Sequence, residues 1–183
     1  LYAATKGATE LMGHAYAHLF GTPTTFFRFF TVYGPWGRPD MALFKFAQAM
    51  RRGEAIEIYG QGQMSRDFTY IDDLVEAIVR LADAPPVIGE PVGPFDTLSP
   101  VAPYRLVNIG GGAPSKLMDF VAELERAMGM QAKKTFLPMQ DGDVPATWAS
   151  SELLEALTGY RPSTPISEGV PAFVTWLRGR NDV

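Results

Sequence analysis

Residues 24–30 read TTFFRFF, a run of β-branched and aromatic side chains with a single charge in it. Such a run is typical of a parallel strand that is covered on both faces. A helical pattern over residues 2–20 precedes it, and the segment Gly21-Thr22-Pro23 ends that helix. The sequence around this run therefore predicts an α/β fold whose parallel sheet is buried.

The rest of the chain alternates helical and strand patterns. Residues 56–59 and 66–71 predict two short strands joined by a Gly-Gln-Gly turn in a hairpin-like unit. Residues 84–103 hold many prolines and glycines and predict a long surface loop. The Gly110–Gly112 run lacks the full Gly-x-Gly-x-x-Gly pattern of a phosphate-binding loop, so we interpret it as a strand-to-helix turn. Further helices are predicted over residues 41–52, 115–128, 151–157 and 165–178, and further strands over residues 105–109 and 134–138. Asp72 is predicted to cap one more helix, whose apolar stripe is formed by Leu74, Ala77, Ile78 and Leu81.

Composition excludes several kinds of function. The chain has 183 residues, a net charge of -4 and no cysteine. It has no long basic cluster, which argues against nucleic acid as a partner. Its apolar stretches fall short of the ~20 residues of a membrane span, which argues against a membrane partner. The absence of cysteine excludes disulfides and thiolate metal sites and makes the cytoplasm the expected location.

Tyr2 and Lys6 lie one helical turn apart, so their side chains share a face of the first helix. An ammonium group near a phenol favours the phenolate, which is the form that accepts a proton. The spacing is therefore compatible with a proton-transfer pair, although it is also common in helices without such a role. His14 and His18 have a similar spacing, but no third ligand is evident, so we predict no metal site and expect both to face solvent or another subunit.

Four motifs, in this order, resemble the extended short-chain dehydrogenase/reductase family of NAD-dependent sugar-nucleotide epimerases and dehydratases. They are YAATK at 2–6, RFFTVYGP at 28–35, RDFTYIDD at 66–73 and VNIG at 107–110. The stretches WGRPDMALFKF at 36–46 and APYR at 102–105 are most similar to the UDP-glucuronate 4-epimerases of that family. The resemblance covers nearly the whole chain.

The resemblance implies a Rossmann-type fold of which this chain is the C-terminal portion, with a partial parallel sheet and a small α/β substrate-binding domain. Residues 1–35, 67–83 and 104–128 would belong to the incomplete Rossmann domain. Residues 36–66 and 129–183 would form the sugar-nucleotide domain, with 84–103 as a loop. The Gly-rich cofactor fingerprint and a catalytic Ser or Thr would lie upstream, so the isolated chain is expected to be inactive.

The resemblance also implies the site residues and the partners. Tyr2 would take the proton of the sugar 4-hydroxyl, Lys6 would hold the nicotinamide ribose of NAD, and Phe29 would also contact the cofactor. Arg66 would bind the nucleotide diphosphate and Tyr59 would pack on uracil. The substrate would be a UDP-sugar, UDP-glucuronate being converted to UDP-galacturonate through a 4-keto intermediate. A homodimer through the Tyr2–Lys6 helix, with Leu11, Ala15 and Leu19 at the contact, is typical of the family.

Four further residues would contact the substrate. Thr31 and Arg38 would lie near the sugar, where a hydroxyl and a guanidinium suit a hexuronic carboxylate. Gln140 and Asp143 would line the phosphate side. Gln140 departs from the family, because an arginine is usual there, and this substitution puts phosphate binding by that loop in doubt.

Two other functions are compatible with these residues. A sugar-nucleotide 4,6-dehydratase or decarboxylase of the same family would share the motifs and would need an additional acid or base upstream. A sugar-nucleotide binding module without catalysis would bind UDP in the absence of NAD. Against the module, the strand at 24–30 would have an unpaired apolar edge in isolation.

Overall fold

The structure, a computed structural model, describes residues 1–180, so the last three residues of the predicted segment 129–183 lie outside it. No helix in the described part of the chain is long and apolar enough to cross a membrane. Helices and parallel strands alternate, which confirms the predicted α/β class. The helices are α1 (Tyr2–Phe20), α2 (Ala42–Arg52), α3 (Ile71–Ala82), α4 (Leu117–Met128), α5 (Glu152–Thr158) and α6 (Ile166–Arg178). The strands are β1 (Thr24–Phe29), β2 (Thr31–Tyr33), β3 (Ala55–Ile58), β4 (Ser65–Arg66), β5 (Phe68–Tyr70), β6 (Tyr104–Ile109), β7 (Ser115–Lys116), β8 (Lys133–Phe136) and β9 (Ala146–Thr147).

Glycines end three of the helices close to the predicted positions. Gly21 follows α1, Gly53 follows α2 and Gly129 follows α4, each with a left-handed backbone that reverses the chain. The predicted capping of α3 by Asp72 is wrong, because the helix already begins at Ile71 and Asp72 lies within its first turn. A carboxylate in the first turn still interacts favourably with the positive end of the helix dipole.

The chain divides into two compact units. The first comprises residues Leu1–Phe29, Val75–Ile109 and Ser150–Arg161. In it β1 pairs in parallel with β6, from Thr24 opposite Tyr104 to Phe29 opposite Ile109. Helix α1 packs against this pair and buries Ala17.

The expectation that the TTFFRFF strand is covered on both faces is wrong for this structure. The side chains of β1 are partly buried at best, and Phe29 is 48% exposed. The reason is that, within residues 1–180, β6 is the only strand bonded to β1. A pair of strands cannot bury both of its faces as the interior of a wider sheet does.

The second unit comprises Phe30–Leu74, Gly110–Ala149 and Pro162–Val183. It contains the parallel pairs β2–β5 and β3–β8, and a small sheet in which β4 lies between β7 and β9. Helices α2, α4 and α6 contribute much of its core, and the partly buried ring of Phe68 stacks on the buried ring of Phe120 with centroids 4.1 Å apart. The core fixes β5 and α2, two of the elements that carry the site.

The predicted hairpin over residues 56–71 is wrong. Strand β3 pairs instead with β8, and the following Gly60, Gln61 and Gly62 have left-handed backbones that turn the chain away. Ile56 and Ile58 of β3 are fully buried, so their burial, rather than the nearby turn, determines where the strand lies.

The Gly110–Gly112 run is a turn after β6, as predicted. The backbone N–H groups of Gly111 and Gly112 donate to the carboxylate of Asp67, at 2.9 Å each, and Ala149 N–H donates at 3.1 Å. Asp67 is completely buried. The anion bound by this turn is therefore a side chain of the protein itself.

The compact units do not follow the predicted domain boundaries. Residues 110–128, assigned to the Rossmann part, lie in the second unit because α4 packs on α6 and α2. Residues 150–161, assigned to the sugar-nucleotide part, lie in the first unit because α5 packs on β6. The functional assignment of the predicted segments stays a prediction.

Candidate active site

The second unit contains a cavity of about 520 Å³, which we call the large cavity, and its size lies in the usual range for small-molecule sites. One wall is formed by Met41, which directly precedes α2, and by Lys45 and Ala49 of α2, and another is β3 with the turn that follows it. Five predicted substrate residues line it together, although they are far apart in sequence: Thr31, Tyr59, Arg66, Gln140 and Asp143.

Arg66 projects from β4 with its side chain only 15% exposed. Its guanidinium donates to Asp143 at 2.7 Å and to the backbone oxygens of Ser65 and Pro145 at 3.0 and 3.3 Å. These bonds hold the planar cation at the cavity wall, where it can donate to phosphate oxygens.

Gln140 and Asp143 belong to one tight turn. Asp143 N–H donates to the carbonyl oxygen of Gln140 at 3.1 Å, and Gly142 has the positive φ that this turn requires. The carboxylate of Asp143 also accepts from the N–H of Val144 at 2.8 Å. The turn therefore presents Asp143 to Arg66 in a fixed direction.

Tyr59 follows β3 directly, and its hydroxyl donates to Glu57 at 3.0 Å. Its ring is partly buried at the edge of the core of the second unit. A ring held in this way offers a flat surface to a planar group such as a nucleobase.

Arg38 does not line the large cavity. It forms a two-fold hydrogen bond with Asp40, at 3.0 and 2.5 Å, and lies with Thr31 beside a smaller cavity of about 40 Å³. The hydrogen bond from Arg38 is the main reason why the pKa of Asp40 lies below its usual value. Arg38 would have to release Asp40 to bind a substrate carboxylate.

Tyr2, Lys6 and Phe29 lie in the first unit. The ammonium of Lys6 is 5.6 Å from the centre of the Tyr2 ring, so the two side chains share a face of α1 as predicted. Tyr2 is 73% exposed and therefore accessible to a bound ligand. Phe29 stacks beside Phe27, with ring centroids 5.9 Å apart.

His18 is exposed, as predicted, whereas His14 is partly buried. Ring nitrogens of His14 and His18 bond to Ser99 and to the carbonyl oxygen of Val101, both at 2.8 Å. They therefore connect α1 to the 84–103 loop. In the part of the chain that the structure describes, no cluster of His, Cys, Asp or Glu could hold a metal ion.

Several cavity residues were not identified in the sequence, notably Asp40, Lys45 and Glu57. Lys45 lies on α2 one turn after Met41, and a lysine at such a position is usually a solvated surface residue. The helical periodicity of this segment could have indicated Lys45, because it places Met41, Lys45 and Ala49 on one face.

Comparison with known proteins finds a family model and curated relatives that agree with one another. The family model described as the NAD dependent epimerase/dehydratase family matches residues 1–92. A probable UDP-glucuronate 4-epimerase of Rhizobium meliloti is 63% identical over 179 residues, which are 96% of this chain and 52% of the relative. UDP-glucuronate 4-epimerase 2 of Arabidopsis thaliana is 40% identical over 183 residues, or 98% of this chain and 42% of the relative.

A solved structure supports the same grouping. The UDP-glucuronic acid 4-epimerase of Bacillus cereus, in complex with UDP-glucuronic acid and NAD, is 31% identical and superposes with a TM-score of 0.82. The match covers 97% of this chain and 52% of that one, and it confirms the predicted Rossmann-type fold. The chain spans about half the length of the curated relatives it matches.

Proposed function

We propose a function on the premise that the chain belongs to the NAD dependent epimerase/dehydratase family. The protein inverts the configuration at C4 of a UDP-sugar, converting UDP-glucuronate to UDP-galacturonate through a 4-keto intermediate, with NAD as its cofactor. The observation that carries the proposal is the large cavity, because five residues predicted to bind a sugar nucleotide line it together. The identity of 63% to a probable UDP-glucuronate 4-epimerase supports the choice of substrate.

The residues of α1 fit the cofactor. The ammonium of Lys6 makes no hydrogen bond or ion pair within residues 1–180, and it lies beside the exposed ring of Tyr2. Three ammonium protons are suited to the hydroxyl oxygens of a ribose. Bound NAD would supply the hydride chemistry at C4 of the sugar.

The side chains of this chain would bind the substrate and move one proton. The phenol oxygen of Tyr2 takes the proton of the sugar 4-hydroxyl, and Lys6 holds the nicotinamide ribose. Arg66 donates to the diphosphate and Tyr59 packs on the uracil ring. Thr31 and Arg38 hold the hexuronic carboxylate, and Gln140 and Asp143 complete the phosphate side.

The protein at its natural length should form UDP-galacturonate from UDP-glucuronate, as followed by chromatography of the sugar nucleotides. Replacing Tyr2 by Phe should reduce the rate by at least about 100-fold, because the proton acceptor is lost. A pentose product with release of CO2 would instead identify a decarboxylase, and a 4-keto-6-deoxy sugar formed from UDP-glucose would identify a dehydratase. Binding of UDP without any turnover would favour the non-catalytic module.

The protein would act as a homodimer in the cytoplasm. The dimer is supported by an exposed apolar surface on α1. It consists of the side chains of Leu11, Met12, Tyr16, Leu19 and Phe20. The complete lack of cysteine supports the cytoplasm as the compartment of the protein.

A further inference from the structure

We propose that Lys45 is a second cation of the sugar-nucleotide site and pairs with the diphosphate of the bound nucleotide. The proposal rests on the proposed function, since it assigns a role to another residue of the large cavity. Its basis is the distribution of charge in that cavity.

Lys45 lines the cavity, but its side chain forms no hydrogen bond or ion pair with any of residues 1–180. Asp40 lines the same cavity, and that carboxylate is already bound by Arg38. Lys45 also contributes to the lowered pKa of Asp40, although the hydrogen bond from Arg38 is the main cause. The ammonium of Lys45 therefore interacts with Asp40 electrostatically but forms no hydrogen bond or ion pair with it.

The other acids of the cavity also have partners. Glu57 accepts from the hydroxyl of Tyr59 at 3.0 Å, and Asp143 forms an ion pair with Arg66 at 2.7 Å. An anion that binds Arg66 meets a guanidinium that is already paired with Asp143, whereas the ammonium of Lys45 has no ion-pair partner among residues 1–180. Lys45 is thus the cavity cation that a phosphate can reach at the lowest cost.

The position of Lys45 along α2 suits the middle of the nucleotide. Met41 lies one turn earlier and shares the smaller cavity with Thr31, the residue expected at the sugar. Ala49 lies one turn later, where α2 packs on β3, the strand that leads to Tyr59 and the expected base. A rise of about 1.5 Å per residue places Lys45 roughly 6 Å along the helix from either. The diphosphate is the part of a UDP-sugar that lies between the sugar and the nucleoside.

The charge of the ligand favours two cations over one. A diphosphate diester carries two negative charges, while Arg66 supplies one positive charge and Gln140 supplies none. An ammonium is a compact charge that pairs well with phosphate without the two-fold geometry of a guanidinium. When Lys45 is included, the two positive charges of Arg66 and Lys45 equal the two negative charges of the diphosphate.

The test is to measure the binding of UDP and of uridine to the protein at its natural length, by calorimetry and by NMR titration respectively. Replacing Lys45 by Met should raise the Kd for UDP about tenfold, because one charge-assisted hydrogen bond is lost. The Kd for uridine, which has no phosphate, should change by less than a factor of about two. Replacing Lys45 by Arg should restore most of the affinity for UDP.

Arg52→Met is the matched control, since Arg52 is the exposed last residue of α2 and does not line the cavity. This variant should bind UDP like the wild type. An unchanged Kd for UDP in Lys45→Met, or an equal loss for UDP and uridine, would overturn the role of Lys45 alone. A wild-type protein that does not bind UDP would overturn the proposed function together with it.

Discussion

At the scale of single residues, the contact between Tyr33 and Gly169 is unusually close. The Tyr33 hydroxyl is buried and has no hydrogen-bond partner among residues 1–180, and burial raises the pKa of this phenol well above its ordinary value. A Cβ added to Gly169 would lie 2.2 Å from that hydroxyl oxygen. The space between strand β2 and helix α6 is therefore filled by the hydroxyl.

Replacing Gly169 by Ala should lower the free energy of unfolding by about 1–3 kcal/mol, because the new methyl group overlaps the Tyr33 ring. Replacing Tyr33 by Phe should raise the free energy of unfolding by about 1 kcal/mol, since it removes an unsatisfied hydroxyl. In the Tyr33→Phe background the cost of Gly169→Ala should become smaller. Urea unfolding followed by circular dichroism measures all three effects.

Gly7→Ala provides the control for the glycine substitution. Gly7 is also within a helix, but no atom lies within 4 Å of an added Cβ. Alanine there should stabilise the protein by up to about 1 kcal/mol, as expected from helix propensity alone. Equal effects at the two positions would contradict the overlap at Gly169.

At the scale of elements, the 84–103 loop is attached to the first unit by a buried ion pair. Asp96 and Arg105 form two hydrogen bonds, of 2.9 and 3.0 Å, and their side chains are 0% and 3% exposed. Asp96 also accepts from the N–H groups of Val92 and Leu98. Burial alone would raise the pKa of Asp96, but these hydrogen bonds, led by that from Arg105, outweigh it and lower the pKa.

Replacing Asp96 by Ala should destabilise the protein by about 3–5 kcal/mol, because the Arg105 cation stays buried without its carboxylate. Hydrogen exchange at pH 7 should speed up most in the 84–103 loop, and combining the change with Arg105→Met should recover part of the stability. Asp83→Ala, at an exposed position, should have little effect. Unchanged exchange in the loop would show that the ion pair does not hold it.

The contribution of this ion pair should also depend on pH. Folding lowers the pKa of Asp96, so the stabilisation is present above the unfolded-state value of about 3.9 and is lost as the pH falls through the folded-state value. The difference in unfolding free energy between the wild type and Asp96→Ala should therefore be constant from pH 7 to about 5 and shrink below about 4. Urea unfolding at each pH measures it, and a difference that grows in acid would have the wrong sign.

Local sequence predicted individual elements better than it predicted their partners. The amphipathic helices α2, α4 and α6, and the terminal glycines of α2 and α4, follow from spacing alone. The pairing of β3 with β8 does not, because nothing near residue 56 specifies a partner near residue 134. The motifs likewise predicted Arg66 and Tyr59 as site residues, but only the fold shows that Lys45 lines the same cavity and that Arg66 pairs with Asp143.

At the scale of the whole molecule, the exposed apolar face of α1 determines the expected assembly. Leu11 and Leu19 are 74% and 71% exposed. Two copies of the helix, packed through this face, would remove these side chains from water. The face is thus suited to contact with a second copy of the chain.

Sedimentation velocity should show a dimer for the protein at its natural length. The double variant Leu11→Glu, Leu19→Glu should sediment as a monomer, because charges on both copies would be buried against each other. Val87→Glu, which adds a charge at an exposed position of the 84–103 loop, should leave the dimer intact. A wild-type monomer, or a dimer that survives both α1 charges, would contradict the assembly through α1.

The strand pairings have a consequence for how fast the chain folds. In the β1–β6, β3–β8 and β4–β9 pairs, the partners are about 80 residues apart along the chain. Each pairing must close a long loop before its hydrogen bonds can form. The chain therefore loses conformational entropy before the hydrogen bonds of the pair stabilise it. Helices should therefore form early and the sheets late, which exposes the TTFFRFF strand during synthesis and makes aggregation compete with folding.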